Sequence, residues 1–332
     1  MTTASSTPQS PVDPDVTISI VSYNTCDDLR NCLASLQARR DEGEVTVEVV
    51  VADNQSVDGS VDMVRAEFPW VRVVETRGNL GYGRANNAGL AEARGRYYFV
   101  LNADTEVQPG ALKVMRDFMD ESPKAGCVGA QLILRDGSTQ TSCARDPGLL
   151  AVFWEQTYLD KLLPNNTITG NYLMTDWDYK DRREVEQVCG ACLFVRREAW
   201  KQIDGFDPAY FMYFEDTDFC IRLRRAGWSI YFIPEARIHH LLGSASAKNW
   251  QTRARMISAY NKSRYYYFNR YEGRAKGLAI KATVLLGATL RLIAWSIIAL
   301  VRPSSRDQVR LFREVWRQTS KMTPAGELQE TS

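Results

Sequence analysis

The 332-residue chain is short of histidine, with two, and short of net charge, since 41 Lys and Arg face 40 Asp and Glu for a sum of +1. His239 and His240 are adjacent, which leaves no basis for a multi-histidine metal cage. A sum near zero removes the global electrostatic reason for nucleic-acid binding. The seven cysteines are an odd number scattered through ordinary segments, which excludes the dense, even framework of a small secreted domain. Cys189 and Cys192 have C-x-x-C spacing, but no second pair follows. They read as small buried thiols beside Gly190 and Ala191 rather than zinc ligands. Internal repeats are absent. The opening, MTTASSTPQSPVDPDV, lacks the basic start and apolar core of a secretory signal, so a reduced, cytoplasmic setting is expected.

What is present is globular: 45% hydrophobic and 24% charged residues, at a length that suits one large or two ordinary domains. The near-zero sum hides an asymmetry. Residues 248–321 hold 16 Lys and Arg against Glu272, Asp307 and Glu314, a local charge of +13, and the remainder carries −12. The chain is an acidic body with a basic C-terminal region.

Residues 1–15, rich in Ser, Thr and Pro, read as a disordered arm. From Val16 strands and helices alternate. VTISIVSYN (16–24), VTVEVVVADN (45–54), VRVVET (71–76) and RYYFVLNAD (96–104) are short β-branched or aromatic strands. Between them CDDLRNCLASLQARR (26–40), SVDGSVDMVRAEF (56–68) and YGRANNAGLAEAR (82–94) read as helices. In the first, Leu29, Cys32, Leu33 and Leu36 stand at i, i+3, i+4 and i+7. This alternation predicts an α/β fold, a parallel sheet with helices on both faces. Such sheets bind ligands at the carboxyl ends of their strands, where Asp53 and Asp104 sit. Residues 140–188 read as irregular and partly helical, 188–200 as a strand running into a helix, and 214–228 as a helix with an acidic start. Residues 228–240 read as a strand pair, and a helix from 248 to 271 precedes an apolar stretch to Val301.

Five groupings carry candidate chemistry. Asp53, followed by Asn54, Ser56 and Asp58, offers a carboxylate to a nucleoside base or ribose, and equally suits an Asx turn capping the next helix. The loop RGNLGYGRANNAG (77–89) brings Gly78, Gly81 and Gly83 to a helix start whose amides suit a diphosphate. It follows the third strand, not the first, which disfavours a dehydrogenase fingerprint. Asn102 and Asp104, two apart at a strand end, suit Mg²⁺ or Mn²⁺ shared with waters and phosphates, or Asp104 merely caps the next turn. Glu215, Asp216 and Asp218 follow the aromatic run Phe211, Tyr213 and Phe214, a setting that raises a carboxyl pKa toward that of a general base. The same acids suit a helix N-terminus through its dipole. His239 and His240 close a strand, where an imidazole either completes a metal site with Asp104 or serves structure alone.

Taken in order, VSYN (21–24), ADNQSVDGS (52–60), NLGYGRANNAG (79–89), LNADTEV (101–107), GACLFVRREAW (190–200) and GFDPAYFMYFEDTDFCIRLRRAGW (205–228) form a joint pattern. It closely resembles family 2 glycosyltransferases, particularly their bacterial rhamnosyltransferase-like branch, over residues 16–270. The resemblance implies a GT-A fold, a Rossmann-like sheet that binds a nucleotide-diphosphosugar. A catalytic domain over 16–247 would comprise a nucleotide-sugar-binding half (16–135) and an acceptor and catalytic half (136–247), followed by a basic helical region, 248–332.

Carried over residue by residue, Asp53 holds a pyrimidine base. Ser22, Asn24 and the Gly81–Asn87 loop, with Tyr82 and Arg84, line the donor site. Asn102 and Asp104 match the first and last acids of the family's DXD motif, so Asp104 binds the metal–diphosphate and Asn102 is the weaker ligand. His240 looks like an additional metal ligand, its spacing to Gly243 and Ser246 favouring it over His239. Asp216 matches the catalytic base, with Glu215 and Asp218 in support on the acceptor side. The reaction implied is inverting, single-displacement transfer with Mg²⁺ or Mn²⁺. The Q-x-x-R-W motif of processive synthases is absent, so one sugar per binding event is expected.

The expected donor is dTDP-rhamnose and the expected acceptor a polyprenyl-linked cell-envelope glycan. Galactofuranosyl or N-acetylglucosaminyl transfer from a UDP-sugar is the rival. A non-catalytic sugar-nucleotide-binding membrane scaffold is the alternative from another class, and intact Asp104, Asp216 and His240 count against it.

Residues 282–301 are 20 long and mostly apolar, but the central Arg291 opposes membrane insertion by about 2.5–3.5 kcal/mol. At about 100° per residue Arg274, Lys281, Arg291 and Arg302 share one face opposite Leu, Ile and Val. That is the pattern of a helix lying in a membrane interface. The chain is therefore expected at the inner face of the cell membrane, bound peripherally to anionic lipid, with no nucleic-acid partner. A core-packed helix with a solvated basic edge, and homo-oligomer formation through the apolar surface, are the competing uses.

Overall fold

A computed structural model describes residues 13–242 and 249–323. Most of the predicted N-terminal arm, and Gly243 and Ser246, lie outside the described residues. Strands β1 (Val16–Ser22), β2 (Val47–Asp53), β3 (Arg72–Glu75) and β4 (Tyr97–Asn102) are parallel, in the order β3-β2-β1-β4. Helices α1 (Cys26–Glu42), α2 (Ser60–Glu67) and α3 (Tyr82–Leu90) connect them. The predicted stripe of α1, Leu29, Cys32, Leu33 and Leu36, is fully buried. Helix α2 starts at Ser60 rather than Ser56, because residues 56–59 form a turn. There the Ser56 N–H donates to Asp53 and Gly59 adopts a φ of 85°.

Beyond β4 the sheet is mixed, which corrects the expectation of a parallel sheet. The chain continues through β5 (Thr105–Val107), α4 (Ala111–Glu121) and β6 (Ala125–Ile133). The middle segment holds β7 (Cys143–Ala144), α5 (Leu149–Gln156), α6 (Leu159–Leu162), α7 (Thr167–Leu173), β8 (Arg183–Glu184) and β9 (Gln187–Val188). Strand β10 (Cys192–Arg196) then enters antiparallel between β4 and β6. Its Leu193, Phe194 and Val195 are buried on both sides of the sheet. A continuous apolar run tells that a strand is central, not which way it points.

Helices α8 (Arg197–Gln202) and α9 (Glu215–Arg225) precede β11 (Ser229–His240), a single strand where two were expected. An irregularity between Ile233 and Arg237, at Pro234, lets β11 pair parallel with β6 along its length and antiparallel with β5 at its end. One face of the sheet packs Leu33, Val64 and Met115 of α1, α2 and α4; the other packs Leu90, Trp200 and Phe219 of α3, α8 and α9. Helices on both faces are as expected.

The C-terminal region folds as α10 (Trp250–Glu272), α11 (Arg274–Val301) and α12 (Arg306–Ser320), with Pro303 between the last two. Tyr267 and Phe268 of α10 and Ile280 and Val284 of α11 share a core with Tyr210, Phe214 and Ile221, so the region is packed onto α9. Leu311 and Val315 of α12 close a smaller core with Ala254 and Ala288.

Of the four cations on the expected basic face, Arg274 and Arg302 are exposed, while Lys281 and Arg291 are not solvated. Arg291 turns inward, donating from Nε to the Tyr158 hydroxyl and from Nη1 to the Gln156 carbonyl, each at 3.0 Å. Lys281 donates to the Met322 carbonyl at 2.8 Å. The partners come from segments remote in sequence, which helical periodicity cannot see. Gly287 permits this approach, since a Cβ there would lie 2.7 Å from both Arg291 Nη1 and Gln156 Oε1. Between Lys276 and Arg302 the exposed surface of α11 is mostly apolar: Leu286, Leu290, Ile293 and Ile297, ending in Leu300 and Val301 at 83% and 80% exposure.

Candidate active site at the carboxyl ends of the strands

Asp53 ends β2 and is only 3% exposed. Its Oδ2 accepts the Ser56 N–H at 2.9 Å, which is the Asx turn, while its Oδ1 is buried without a hydrogen-bond partner. The turn thus uses one carboxylate oxygen of Asp53 and leaves the other without a partner. Ser22, the last residue of β1, is in register with Asp53, and Asn24 follows on the loop. Ser22 Oγ lies 3.4 Å from Ser56 Oγ, and Asn24, at a φ of 56°, accepts the Val57 N–H at 2.8 Å. Their side chains tie the β1 and β2 loops together and so shape the wall around Asp53.

The glycine loop is held by Asn54, which the sequence placed only in the turn after Asp53. Its Nδ2 donates to the Gly81 carbonyl at 3.1 Å and its Oδ1 accepts the Leu80 N–H at 3.2 Å. The Tyr82 N–H donates to the Phe211 carbonyl at 2.9 Å, and the Tyr82 hydroxyl to the Gly190 carbonyl at 2.8 Å. Arg84 and Asn87, read as donor-lining, also brace the loop before α9. Arg84 Nε donates to the Pro208 carbonyl at 2.6 Å. Asn87 bonds both backbone groups of Phe206, at 2.8 and 3.0 Å.

Asn102 closes β4, and Asp104 follows in the turn to β5. His240 pairs in register with Thr105 on β5, which places its ring by Asp104: Nε2 to Oδ1 is 3.3 Å. Gln140, missed in the sequence, holds the other ring nitrogen, Nδ1, at 2.7 Å from its Oε1. With that oxygen accepting, Nδ1 carries a proton, which fixes the ring with Nε2 toward Asp104. His239 is paired with Glu106 and, one residue along the strand, points to the opposite face. The structure thus brings His240, not His239, to Asp104.

The third group sits at the start of α9. Tyr213 and Phe214 adopt positive φ, 66° and 64°, a strained turn that sets Glu215 and Asp216 on the first turn of the helix. Asp216 Oδ2 accepts the Gly190 N–H at 2.9 Å and Oδ1 the Thr217 N–H at 2.8 Å. Burial raises its pKa above the ordinary carboxyl range, and those two N–H groups oppose the rise. Glu215 is pushed further, to about 8, by burial and then by the Asp216 charge, and its Oε2 has no partner. Asp218 is fully buried, accepting from Arg222 Nε and the Tyr271 hydroxyl, each at 2.6 Å, and is structural. A cavity of about 240 Å³ opens here, lined by Asp216, Glu215, Tyr172, Gln187, Tyr213 and Tyr260.

The Glu215 shift has a consequence for stability. Its folded pKa of about 8 exceeds the ordinary 4.5, so the folded state holds the proton longer than the unfolded one. The associated stability is present below pH 4.5 and is lost as pH rises through 8. Glu215→Gln removes that dependence. Melting curves at pH 5 and pH 9 should show the variant gaining on the wild type at the higher pH, by about 2–4 °C per kcal/mol. A constant difference would mean that Glu215 titrates normally.

A sequence profile described as Glycosyltransferase like family 2 matches residues 14–259. The chain belongs to glycosyltransferase family 2. This family 2 enzyme is 32% identical over 292 residues to N-acetylglucosaminyl-diphospho-decaprenol L-rhamnosyltransferase of Mycobacterium tuberculosis, which covers 82% of the chain and 92% of that relative. It is 23% identical over 220 residues to a low-salt glycan biosynthesis hexosyltransferase of Haloferax volcanii, covering 65% and 64% respectively. Among solved structures, the Pyrobaculum calidifontis mannosyltransferase in complex with GDP-Man and Mn²⁺ superposes with a TM-score of 0.53 at 16% identity, over 94% of this chain and 87% of that one. That likeness is one of fold, and the family 2 glycosyltransferase has the expected GT-A architecture.

Proposed function

We propose that this glycosyltransferase transfers L-rhamnose from dTDP-rhamnose to a polyprenyl-linked glycan, with inversion, one sugar per encounter. The observation that carries the reading is Asp216. It is a buried carboxylate held by two backbone N–H groups at a cavity beside the strand ends. Similarity to a decaprenol-linked rhamnosyltransferase over most of the chain supports the sugar and the lipid.

In this reading the orphan Oδ1 of Asp53 accepts the ring N–H of thymine or uracil, relieving an unmade bond that costs about 1–3 kcal/mol. The donor set of Asp104 and His240 fits a divalent cation that takes its other ligands from the diphosphate and water. Bound there, Mg²⁺ or Mn²⁺ would supply positive charge to the nucleoside diphosphate. Asp216 removes the proton of the acceptor hydroxyl as that oxygen bonds to the anomeric carbon, and the bond from that carbon to the diphosphate oxygen breaks. With a pKa near 8, Glu215 is mostly neutral at pH 7, which leaves Asp216 the single carboxylate able to take the proton.

The membrane enters through α11, which among the described residues is the one helix long and apolar enough to cross a bilayer, with a mean hydropathy of 2.2. Because Arg291 and Lys281 face the protein, the exposed Leu and Ile face is the one set toward lipid, flanked by exposed Arg302, Arg306, Arg310 and Arg313. A peripheral position against anionic lipid on the cytoplasmic side follows. The triple variant Leu290→Glu, Ile293→Glu, Ile297→Glu should lose co-sedimentation with anionic vesicles while melting like the wild type. Retained binding would move the contact elsewhere.

The donor is tested by thermal shift with Mn²⁺ and a panel of dTDP-, UDP- and GDP-sugars. Stabilisation by dTDP-rhamnose, lost in Asp53→Ala, is expected. A shift with GDP-sugars alone, or none at all, would defeat the reading.

A further inference from the structure

A second, larger cavity lies behind the one at Asp216. It has a volume of about 620 Å³, within the range of small-molecule sites. Tyr213 and Tyr260 line both cavities and meet edge to face, ring centroids 5.3 Å apart, so one aromatic pair forms the common wall. Past that wall the lining divides by chemistry. Arg253 and Arg291 are its cations, while Met256, Ile257, Val284 and Phe312 are apolar.

The charges do not cancel. Glu155, the carboxylate of the lining, is engaged by the buried Arg264 at 2.8 Å. Arg264 sits behind the wall, stacked on Tyr260 at 4.5 Å, and its Nε and Nη1 are buried without partners. Arg291 donates only to neutral oxygens, of Tyr158, Gln156 and the Glu155 backbone. Arg253 is exposed and makes no ion pair among the described residues. The cavity therefore presents two guanidinium charges uncompensated by carboxylate, beside an apolar wall. Part of that wall is the inner face of α11, whose outer face is the exposed Leu and Ile surface.

We infer that this cavity binds the diphosphate and first isoprene units of the acceptor: the sugar sits at Asp216, the diphosphate meets Arg253 and Arg291, and the chain runs along α11 toward lipid. A carboxylate across the shared aromatic pair, two guanidinium groups and an apolar lining partly from the lipid-facing helix offer the contacts that a sugar, a diphosphate and a prenyl chain require. This assignment rests on the polyprenyl-linked acceptor proposed above. It adds a residue set outside the strand-end site, and a reason for some of the excess positive charge of the C-terminal region.

Two measurements test it. The first is equilibrium binding of radiolabelled farnesyl diphosphate in detergent micelles, with inorganic diphosphate and farnesol as comparison ligands. The wild type should bind farnesyl diphosphate at least tenfold more tightly than either fragment, and Arg253→Glu should lose roughly tenfold. Because Arg253 is exposed, that variant is expected to fold. Met256→Trp, which fills the cavity without changing charge, should weaken farnesyl diphosphate and leave inorganic diphosphate alone. The second measurement is the preference for an acceptor carrying the diphosphoprenyl group over an alkyl glycoside of the same sugar, expected to fall roughly tenfold in Arg253→Glu. No binding of farnesyl diphosphate, or binding unaffected by both substitutions, overturns the inference while the nucleotide-sugar shifts stand. Loss of those shifts would instead overturn the proposed function.

Discussion

Asp216→Asn is expected to reduce transfer by about 10²–10⁴-fold, the usual contribution of a positioned general base, while nucleotide-sugar binding is preserved. The side chain keeps its volume, and its amide oxygen still accepts one of the two N–H groups, from Gly190 or Thr217, that hold the carboxylate. The amide nitrogen then faces the other N–H, so a small stability loss accompanies the substitution. The basic lone pair is gone. Donor-induced thermal shifts should match the wild type, which separates lost chemistry from lost binding. Normal turnover by this variant would remove Asp216 as the base and leave Glu215, with its higher pKa, as the nearest carboxyl to replace it.

Gly81→Ala is expected to be nearly as damaging, by a different route. Gly81 has a φ of 82° and a ψ of −176°, a region essentially reserved for glycine, where a side chain costs about 1–3 kcal/mol. More seriously, a Cβ would lie 2.0 Å from the Phe211 carbonyl oxygen, a backbone atom with no rotamer to escape into. Relief requires the loop at Phe211 to move, and that loop leads through Tyr213 and Phe214 into Asp216. It is pinned to α3 through Tyr82, Arg84 and Asn87, so the displacement passes to the base. Misplacement by about 1 Å costs on the order of 10²-fold in rate. A fall in kcat/KM of that size with a lower Tm is expected. Gly78→Ala, where a Cβ meets nothing within 4 Å, serves as the control and should be close to neutral. Equal effects at both positions would contradict the geometric argument.

Much of the site was legible because it sits where periodicity and turn chemistry are strongest. Asp53, Asp104 and Asp216 follow buried strands or an aromatic run, and the fold places the first two at strand ends and Asp216 at a cavity. Local sequence also fixed the stripe of α1, since Leu29, Cys32, Leu33 and Leu36 are neighbours on one helix. What escaped depends on contacts between distant segments. The antiparallel entry of β10 is invisible in a run such as CLFVR, which is equally apolar in either direction. Arg291 looked solvated on a helical wheel because its partners, Tyr158 and Gln156, lie more than a hundred residues earlier. Gln140, a single polar residue with no motif of its own, and the hold of Asn54 on the glycine loop became interpretable only once their partners were in place. Arg84 and Asn87 were found as part of the right loop, but what they bond required the Phe206–Pro208 backbone to be positioned.

The most direct test supplies purified protein with dTDP-rhamnose, Mn²⁺ and an N-acetylglucosaminyl-diphosphoprenol, and reads the lipid product by mass spectrometry. The account predicts addition of a single deoxyhexose, with one dTDP released per product and no second addition. A hexose transferred from a UDP-sugar with dTDP-rhamnose inert, or no product despite donor binding, would contradict it.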